Sequence, residues 1–270
     1  MKRVPKRFRA FTLTELIVVI ALTGILLAVL MPSLASARVQ ARSVACRSNL
    51  HQLVCANRVY TTDSDGYFLP GAEDMFSGPG LKRWHGQRAD LNSPFEPQGG
   101  PLAAYLGNGR VKECPQYVPF VQNTAWEASF ERGCGGYGYN LTYLGSRLWD
   151  RGTDVEQAYQ RTTRNTEVGC PAETAMFADC ALSREDGQYI EYSFIEPPHP
   201  VFAGTQWSQA YLSPSIHFRH DGLANVGWAD GHAGARRMAP LEGLNAYGVD
   251  SSAMCLGWFD PADNSPFDLR

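Results

Sequence analysis

Three histidines and two Asp-Gly pairs lie within eighteen residues, in the stretch HFRHDGLANVGWADGHAG at 217–234. Imidazole and carboxylate groups at this density are candidates for metal binding or for acid–base chemistry. Five side chains supply donor atoms: His217, His220, Asp221, Asp230 and His232. They lack the His-x-x-x-His or paired Cys-x-x-Cys spacing of common metal sites. The donors by themselves therefore leave a metal site and a structural role open.

The same stretch also fits two turns around a strand. Asp221-Gly222 and Asp230-Gly231 are dipeptides typical of hairpin turns. Between them the apolar residues Ala224, Val226 and Trp228 alternate with Asn225 and Gly227, which predicts a half-buried strand. A His–Asp hydrogen bond that fixes a hairpin would account for the spacing without chemistry. This favoured interpretation assigns a structural role to His220, Asp230, Gly231 and His232.

Composition and motifs argue against several functions. The chain has no G-x-S-x-G elbow, no H-E-x-x-H motif and no phosphate-binding loop, which mark common hydrolases and nucleotide enzymes. Its net charge is −3, and no basic stripe is interleaved with aromatic residues, so nucleic acid is not an expected partner. We expect no enzyme activity, no catalytic residues and no cofactor.

The N-terminus has the pattern of a membrane anchor. Residues 1–10 form a basic leader, since the first nine residues carry five of the 24 Lys and Arg and no acid. Residues 11–31 follow with one charge, Glu15. As a helix this segment spans roughly 30 Å, the thickness of a bilayer's hydrocarbon core. The positive leader predicts a transmembrane helix with its N-terminus in the cytosol.

The rest of the chain predicts an α+β protein. Apolar spacing at Leu34, Ala37, Ala41 and Val44, then at Leu50, Leu53 and Val54, extends the helix amphipathically over residues 32–60. Residues 61–270 form the globular body, where short strands alternate with turns and favour an antiparallel sheet. The strand candidates are ETAMFADCAL, QYIEYSFIE, SIHFRH, LANVGWAD and HAGARRM, with a glycine-rich turn entering a strand in GCGGYGYNLTYLG and a short helix in LAAYLG.

The stretch RAFTLTELIVVIALTGILLAVLMPSL at 9–34 resembles the N-terminus of type IV prepilins and type II secretion pseudopilins. The resemblance implies that a prepilin peptidase cuts between Ala10 and Phe11 and that the new Phe11 amine is methylated. Most of the family has Gly where this chain has Ala10. Glu15 becomes the fifth mature residue, and Pro32 the twenty-second, where the family tends to carry a helix-kinking proline.

This resemblance implies a pilin-like subunit. Its partners would be the prepilin peptidase, inner-membrane lipid and other pilin or pseudopilin subunits, in a type II secretion pseudopilus or a type IV pilus-like fibre. The long N-terminal helix would pack on a periplasmic antiparallel sheet. In the fibre Glu15 would neutralise the Phe11 ammonium of a neighbouring subunit, since a charge pair at low dielectric favours the in-register neighbour.

The body resembles a planctomycete-type prepilin family with a C-terminal His, nine residues and Asp-Gly, on the pieces CRSNLHQL, YTTDSDGYFLP, ECPQ, GYGYN and the pair His220 and Asp230-Gly231. Cys46 and Cys114, two of seven cysteines, recur in that family and imply a disulfide, which periplasmic conditions would preserve. Calcium is a further option, because major pseudopilins bind it near the C-terminus; the oxygens here would come from Asp230, Asp250, Asp260 and Asp263.

A second hypothesis comes from the aromatic side chains. A membrane-tethered protein that binds an extracytoplasmic solute or polysaccharide could stack sugars on Trp84, Trp126, Trp149, Trp207 and Tyr137. The two hypotheses differ at Glu15, because a tether would tolerate Glu15→Ala and an assembling pilin would not.

Overall fold

A computed structural model of the chain describes residues 12–117, 131–150, 152–183, 187–202, 205–206 and 213–270. Ala10, Phe11, Trp126 and Trp207 lie outside the described residues. The chain divides into two compact units, Met1–Ala41 and Arg42–Arg270. The expected boundaries at residues 10, 31 and 60 stay a prediction.

A long helix, α1, runs from Leu13 to Asp63. It begins at a capping box: the Thr12 hydroxyl accepts from the Glu15 amide at 3.3 Å, and the Glu15 carboxylate accepts from the Thr12 amide at 2.8 Å. The helix continues through Pro32, and the expected kink there stays a prediction. After Asp63 the chain turns at Asp65 and Gly66, which have φ values of 52° and 84°.

In the described part of the first unit most apolar side chains of α1 are exposed. The large apolar residues from Leu13 to Leu34 are 49–74% exposed. By length and composition this helix could cross a membrane, although a signal sequence near an N-terminus would pass the same test. The prediction of an N-terminal apolar helix is thus confirmed.

In the second unit α1 buries one face. The buried positions are Cys46, Leu50, Leu53, Val54, Ala56, Asn57 and Thr61, which recur at helical spacing. Leu34 and Val44 are 53% and 56% exposed, so these two positions of the expected stripe are not buried in either unit. The apolar face that packs in the second unit starts at Cys46, and the half-buried Ser43 before it contacts Asn225 of β10 at 3.4–3.5 Å.

Short strands make up most of the remaining regular structure. In chain order they are β1 (Lys82–Arg83), β2 (Gly86–Gln87), β3 (Tyr137–Tyr139), β4 (Ala175–Asp179), β5 (Leu182–Ser183), β6 (Tyr189–Ile190), β7 (Val201–Phe202), β8 (Thr205–Gln206), β9 (Ile216–His217), β10 (Leu223–Trp228), β11 (Ala233–Arg237) and β12 (Leu256–Gly257). A short helix, α2, spans Val155–Gln160, and its cap Asp154 accepts from the Glu156 amide. LAAYLG forms a 3-10 helix at Ala103–Tyr105.

The central sheet has the strand order β11-β10-β4-β3, and each pairing is antiparallel. Val226 of β10 lies between Ala178 of β4 and Gly234 of β11. One hydrophobic cluster includes the buried face of α1, and a second lies against the side chains of Ala224, Val226 and Trp228. The fold is therefore α+β and pilin-like, with a long N-terminal helix packed on antiparallel sheet, as the sequence predicted.

Candidate functional site

The stretch 217–234 contains the two turns that the sequence predicted. Asp221 and Gly222 have φ values of 58° and 75°, the positive φ at both central positions that a two-residue type I′ turn requires. His220 and Leu223 exchange backbone hydrogen bonds of 3.0 and 3.2 Å across that turn. The turn therefore sets His220 at the entrance of β10.

The prediction of a half-buried strand was wrong for β10. All residues from Ala224 to Trp228 are buried. Ala224, Val226 and Trp228 enter one hydrophobic cluster, whereas Gly227 approaches Val54 of α1 so closely that an added Cβ would lie 2.6 Å from its Cγ2. Helix α1 packs against one face of β10, and the hydrophobic cluster packs against the other. Both faces of this strand are therefore buried.

The second turn, at Asp230-Gly231, joins β10 to β11 and contacts α1. Asp230 Oδ1 accepts from the backbone amide of His232 at 3.0 Å and contacts its ring Nδ1 at 2.7 Å. Arg58 of α1 donates to the Asp230 carbonyl oxygen. Gly231, with φ of 113°, would meet the Arg58 guanidinium if it carried a Cβ. The exposed His–Asp pair thus lies within one turn, and the structural role of His220, Asp230, Gly231 and His232 stays a prediction.

His220 pairs with Asp179 and not with Asp230. Its Nε2 lies 3.2 Å from Asp179 Oδ2 and 3.6 Å from Cys114 Sγ. Cys46 Sγ contacts Asp179 Oδ1 at 3.1 Å. The four donor atoms lie within 4.8 Å of one another, and the four residues are at most 3% exposed. We call Cys46, Cys114, Asp179 and His220 the buried cluster.

Four segments that are distant in sequence form the buried cluster. Cys46 comes from the buried face of α1, and Asp179 ends β4. The backbone amide of Cys114 donates to the Gly135 carbonyl at 3.0 Å, which holds its loop beside β3. His220 is placed by the Asp221-Gly222 turn. Sequence reasoning missed Asp179, whose signal was a lone carboxylate within the apolar strand MFADC.

Charged neighbours compensate the buried carboxylate. Arg219 Nη2 donates to Asp179 Oδ1 at 2.6 Å, and the Asn225 amide donates to Oδ2 at 2.7 Å. Burial alone would raise the pKa of Asp179, but the charge of Arg219 and the hydrogen bond with His220 lower it. Burial would lower the pKa of His220, yet its contacts with Asp179 and Cys114 raise it to about 9. The cluster is thus strongly polar although its residues are buried.

Cys46 and Cys114 are the pair for which the family resemblance implied a disulfide. Both are buried free thiols here, and their sulfur atoms lie within 4.8 Å of each other. Burial raises the pKa of the Cys46 thiol. The disulfide stays a prediction.

The remaining metal-ligand candidates lie elsewhere. His217 stacks on Tyr189 with ring centroids 4.8 Å apart, and its Nδ1 contacts Arg219 at 3.2 Å. Burial and the charge of Arg219 lower its pKa well below the usual value. Asp250 and Asp263 accept hydrogen bonds from Ser252 and Ser265 of their own turns. Within the described residues the buried cluster is the one group of three or more such donors that converges. Calcium binding by the C-terminal carboxylates stays a prediction.

The aromatic residues of the second hypothesis are mainly part of the core. Trp84 and Tyr137 are fully buried, and the Trp84 indole donates to the Ser193 carbonyl at 2.7 Å. Trp149 is partly buried, donates to Thr163 at 3.1 Å and lies under the Arg147 guanidinium. These rings do not form an open sugar-stacking surface.

A second buried polar network surrounds Glu131. Arg83 binds its carboxylate through Nε and Nη2 at 2.9–3.0 Å. The Ser193 hydroxyl donates to Glu131 at 2.7 Å and contacts His85 Nε2 at 2.7 Å. This Ser–His–Glu grouping resembles hydrolase chemistry in composition only, since its members are at most 4% exposed and a substrate could not reach the hydroxyl.

The comparisons with known proteins concern the N-terminal segment. Residues 5–31 match a family model described as the prokaryotic N-terminal methylation motif. The match supports a type IV pilin or pseudopilin-type precursor, a class of structural proteins whose motif implies processing by prepilin peptidase and assembly with other pilin subunits. No curated protein and no solved structure matches the chain. The resemblance of the body to the planctomycete-type family stays a prediction.

Proposed function

We propose that this chain is a pseudopilin-type subunit, cut between Ala10 and Phe11, methylated at Phe11 and assembled into a type II secretion pseudopilus or a type IV pilus-like fibre. The match of residues 5–31 to the methylation motif is the observation that carries the proposal. The body lies on the periplasmic side, since the basic leader retains the N-terminus in the cytosol.

The exposure of the first unit supports this role. Its large apolar side chains, 49–74% exposed, are stable in lipid or against the helices of other subunits, and unstable in water. Before assembly this apolar surface contacts lipid. In the assembled fibre it contacts neighbouring subunits.

The contacts of Glu15 fit the same role. Its Oε2 accepts from the amide and the hydroxyl of Thr12 at 2.8 and 2.7 Å. An ionised carboxylate offers about four acceptor positions, so this cap leaves capacity for the Phe11 ammonium of a neighbouring subunit. Glu15 therefore sets subunit register, while Thr12 holds its carboxylate at the helix start.

Intact mass and N-terminal sequencing of the membrane-purified protein test the processing step. We expect a chain that starts at N-methylated Phe11. Ala10→Gly, which restores the residue most prepilins carry, should be processed at least as completely. A wild-type chain that still starts at Met1, in cells with an active prepilin peptidase, would exclude the pilin mechanism.

The assembly step needs a variant that is processed normally. We expect Glu15→Ala to be cut and methylated like the wild type and to be lost from sheared or cross-linked fibres. Thr23→Ala is the matched control, because Thr23 lies in the same helix and its hydroxyl donates to the Ile20 carbonyl of its own turn at 3.0 Å. Equal assembly of Glu15→Ala and Thr23→Ala would overturn the role of Glu15.

A further inference from the structure

We propose that the buried cluster of Cys46, Cys114, Asp179 and His220 is a binding site for a thiophilic divalent cation, with Zn²⁺ as the best-fitting ion. The inference goes beyond assembly and does not depend on it. It concerns the second unit alone.

The ligand set and its spacing fit zinc. Two sulfurs, one imidazole nitrogen and one carboxylate oxygen are ligands zinc accepts in four-coordinate sites. Bond lengths of about 2.0–2.3 Å to a central ion place tetrahedral ligand atoms about 3.3–3.8 Å apart. Three separations between neighbouring donors are 3.1, 3.2 and 3.6 Å, two of them to different oxygens of Asp179, and all four donor atoms lie within 4.8 Å of one another. Closing around an ion would therefore move donor atoms by at most about 1 Å relative to one another.

Outer contacts orient the ligands. Arg219 and the Asn225 amide bind the Asp179 carboxylate at 2.6 and 2.7 Å. The Tyr137 hydroxyl donates to Cys46 Sγ at 3.5 Å. Partners of this kind fix ligand orientation in known metal sites. Two thiolates and one carboxylate carry −3, and Arg219 with a divalent cation carries +3, so the occupied site is electrically neutral.

The site would join distant parts of the second unit. Its ligands come from α1, from the loop before β3, from the end of β4 and from the turn before β10. A structural metal adds its binding free energy to folding. The ion would thus fasten the C-terminal half of α1 to the sheet.

Metal binding and the Cys46–Cys114 disulfide exclude each other, because zinc requires both sulfurs as thiolates. The full-length protein should be extracted in detergent under anaerobic conditions, without reductant or chelator. Its zinc content and its intact mass are then measured on the same sample. We expect about one zinc per chain, as for a closed four-ligand site. We also expect the intact mass of a chain with all seven cysteines reduced, without the loss of two hydrogens that a disulfide causes.

Matched serine variants locate the ion. We expect Cys46→Ser and Cys114→Ser each to retain less than about a tenth of the wild-type zinc after dialysis, since each leaves three of the four ligands and one thiolate instead of two. Cys55→Ser is the control, because Cys55 lies on the same helix with its thiol exposed and should leave the zinc content unchanged. Loss of zinc in Cys55→Ser with retention in Cys46→Ser would assign the ion to the surface and overturn the proposal.

Co²⁺ titration of the metal-stripped wild-type protein keeps the test valid if a serine variant fails to fold. We expect a thiolate-to-cobalt charge-transfer band and the visible bands of tetrahedral cobalt, both removed by one equivalent of Zn²⁺. A protein two hydrogens lighter, with Cys46 and Cys114 in one cross-linked peptide, overturns the proposal in favour of the disulfide. Free thiols with no zinc and no cobalt bands overturn it as well.

Discussion

At the level of single residues, two neighbouring ion pairs differ mainly in burial. Lys82 binds Glu73 at 2.5 Å with side chains 48% and 41% exposed. Arg83 binds Glu131 at 2.9 Å with side chains 3% and 5% exposed. An exposed pair adds about 0–1 kcal/mol to stability, whereas removing one charge of a buried pair leaves the other uncompensated.

We therefore expect Glu131→Gln to lower the free energy of unfolding by about 3–5 kcal/mol. Glu73→Gln should change it by less than about 1 kcal/mol. Chemical denaturation of the detergent-solubilised full chain measures both. Equal effects of the two substitutions would contradict this expectation, because the buried charge of Arg83 would then be tolerated without Glu131.

The same carboxylate predicts a pH dependence. Burial would raise the pKa of Glu131, but His85, whose Nε2 lies 4.0 Å from Oε2, and the charge of Arg83 outweigh it and lower the pKa to about 2. Its stabilising effect is therefore complete above about pH 4.5, the usual value for Glu, and is lost as the pH falls toward 2.

The stability difference between wild type and Glu131→Gln should accordingly be constant from pH 5 to 7 and shrink by roughly 3 kcal/mol between pH 4.5 and 2. Denaturation curves at pH 7 and pH 3 measure the part of this change that falls above pH 3, about 2 kcal/mol. The Glu73→Gln difference, measured in parallel, should stay small at both values. A pH-independent difference for Glu131→Gln would contradict the lowered pKa, because it would mean that the carboxyl titrates alike in the folded and unfolded states.

At the level of elements, the approach of α1 to β10 depends on Gly227. An added Cβ would lie 2.6 Å from Val54 Cγ2 and 3.5 Å from the Leu50 carbonyl oxygen. Gly234 of the neighbouring strand β11 offers a matched position, where the nearest atom would be the Trp228 indole nitrogen at 3.5 Å. Both glycines lie within strands of the central sheet, but of the two Gly227 is the one that faces α1.

We expect Gly227→Ala to destabilise the protein by about 1–3 kcal/mol, as overpacking does, and Gly234→Ala to be neutral or slightly stabilising, because Gly in a strand costs about 0.5–1 kcal/mol relative to Ala. Thermal unfolding of the full chain compares them. In the Val54→Ala background, where Cγ2 is absent, Gly227→Ala should cost less. Full additivity of the two substitutions would contradict the contact.

At the level of the whole molecule, the seven cysteines report on folding. Cys55, Cys170 and Cys255 are exposed, and Cys46, Cys114, Cys134 and Cys180 are buried. We expect a thiol reagent to modify three cysteines of the native protein quickly, with the other four protected until denaturation. Peptide mapping by mass spectrometry assigns each site. Early modification of Cys134 or Cys180 would contradict the described core.

Elements with local signals were predictable. The apolar run gave α1, the alternating segments gave β4, β10 and β11, and the two Asp-Gly pairs gave the turns around β10. The short helix α2 went unpredicted, because six residues carry little periodicity. The burial of β10 on both faces also went unpredicted, since it depends on α1, which is distant in sequence.

The sequence by itself determined the N-terminal anchor with its methylation motif, because a membrane helix needs only a local apolar run and a charged flank. It also determined the α+β class. Only the tertiary structure decided the partners of His220, which lie at Asp179 and Cys114 rather than at Asp230. Those contacts join residues more than forty positions apart in the sequence. The spacing of residues within one segment does not indicate which distant polar groups will meet when the core folds.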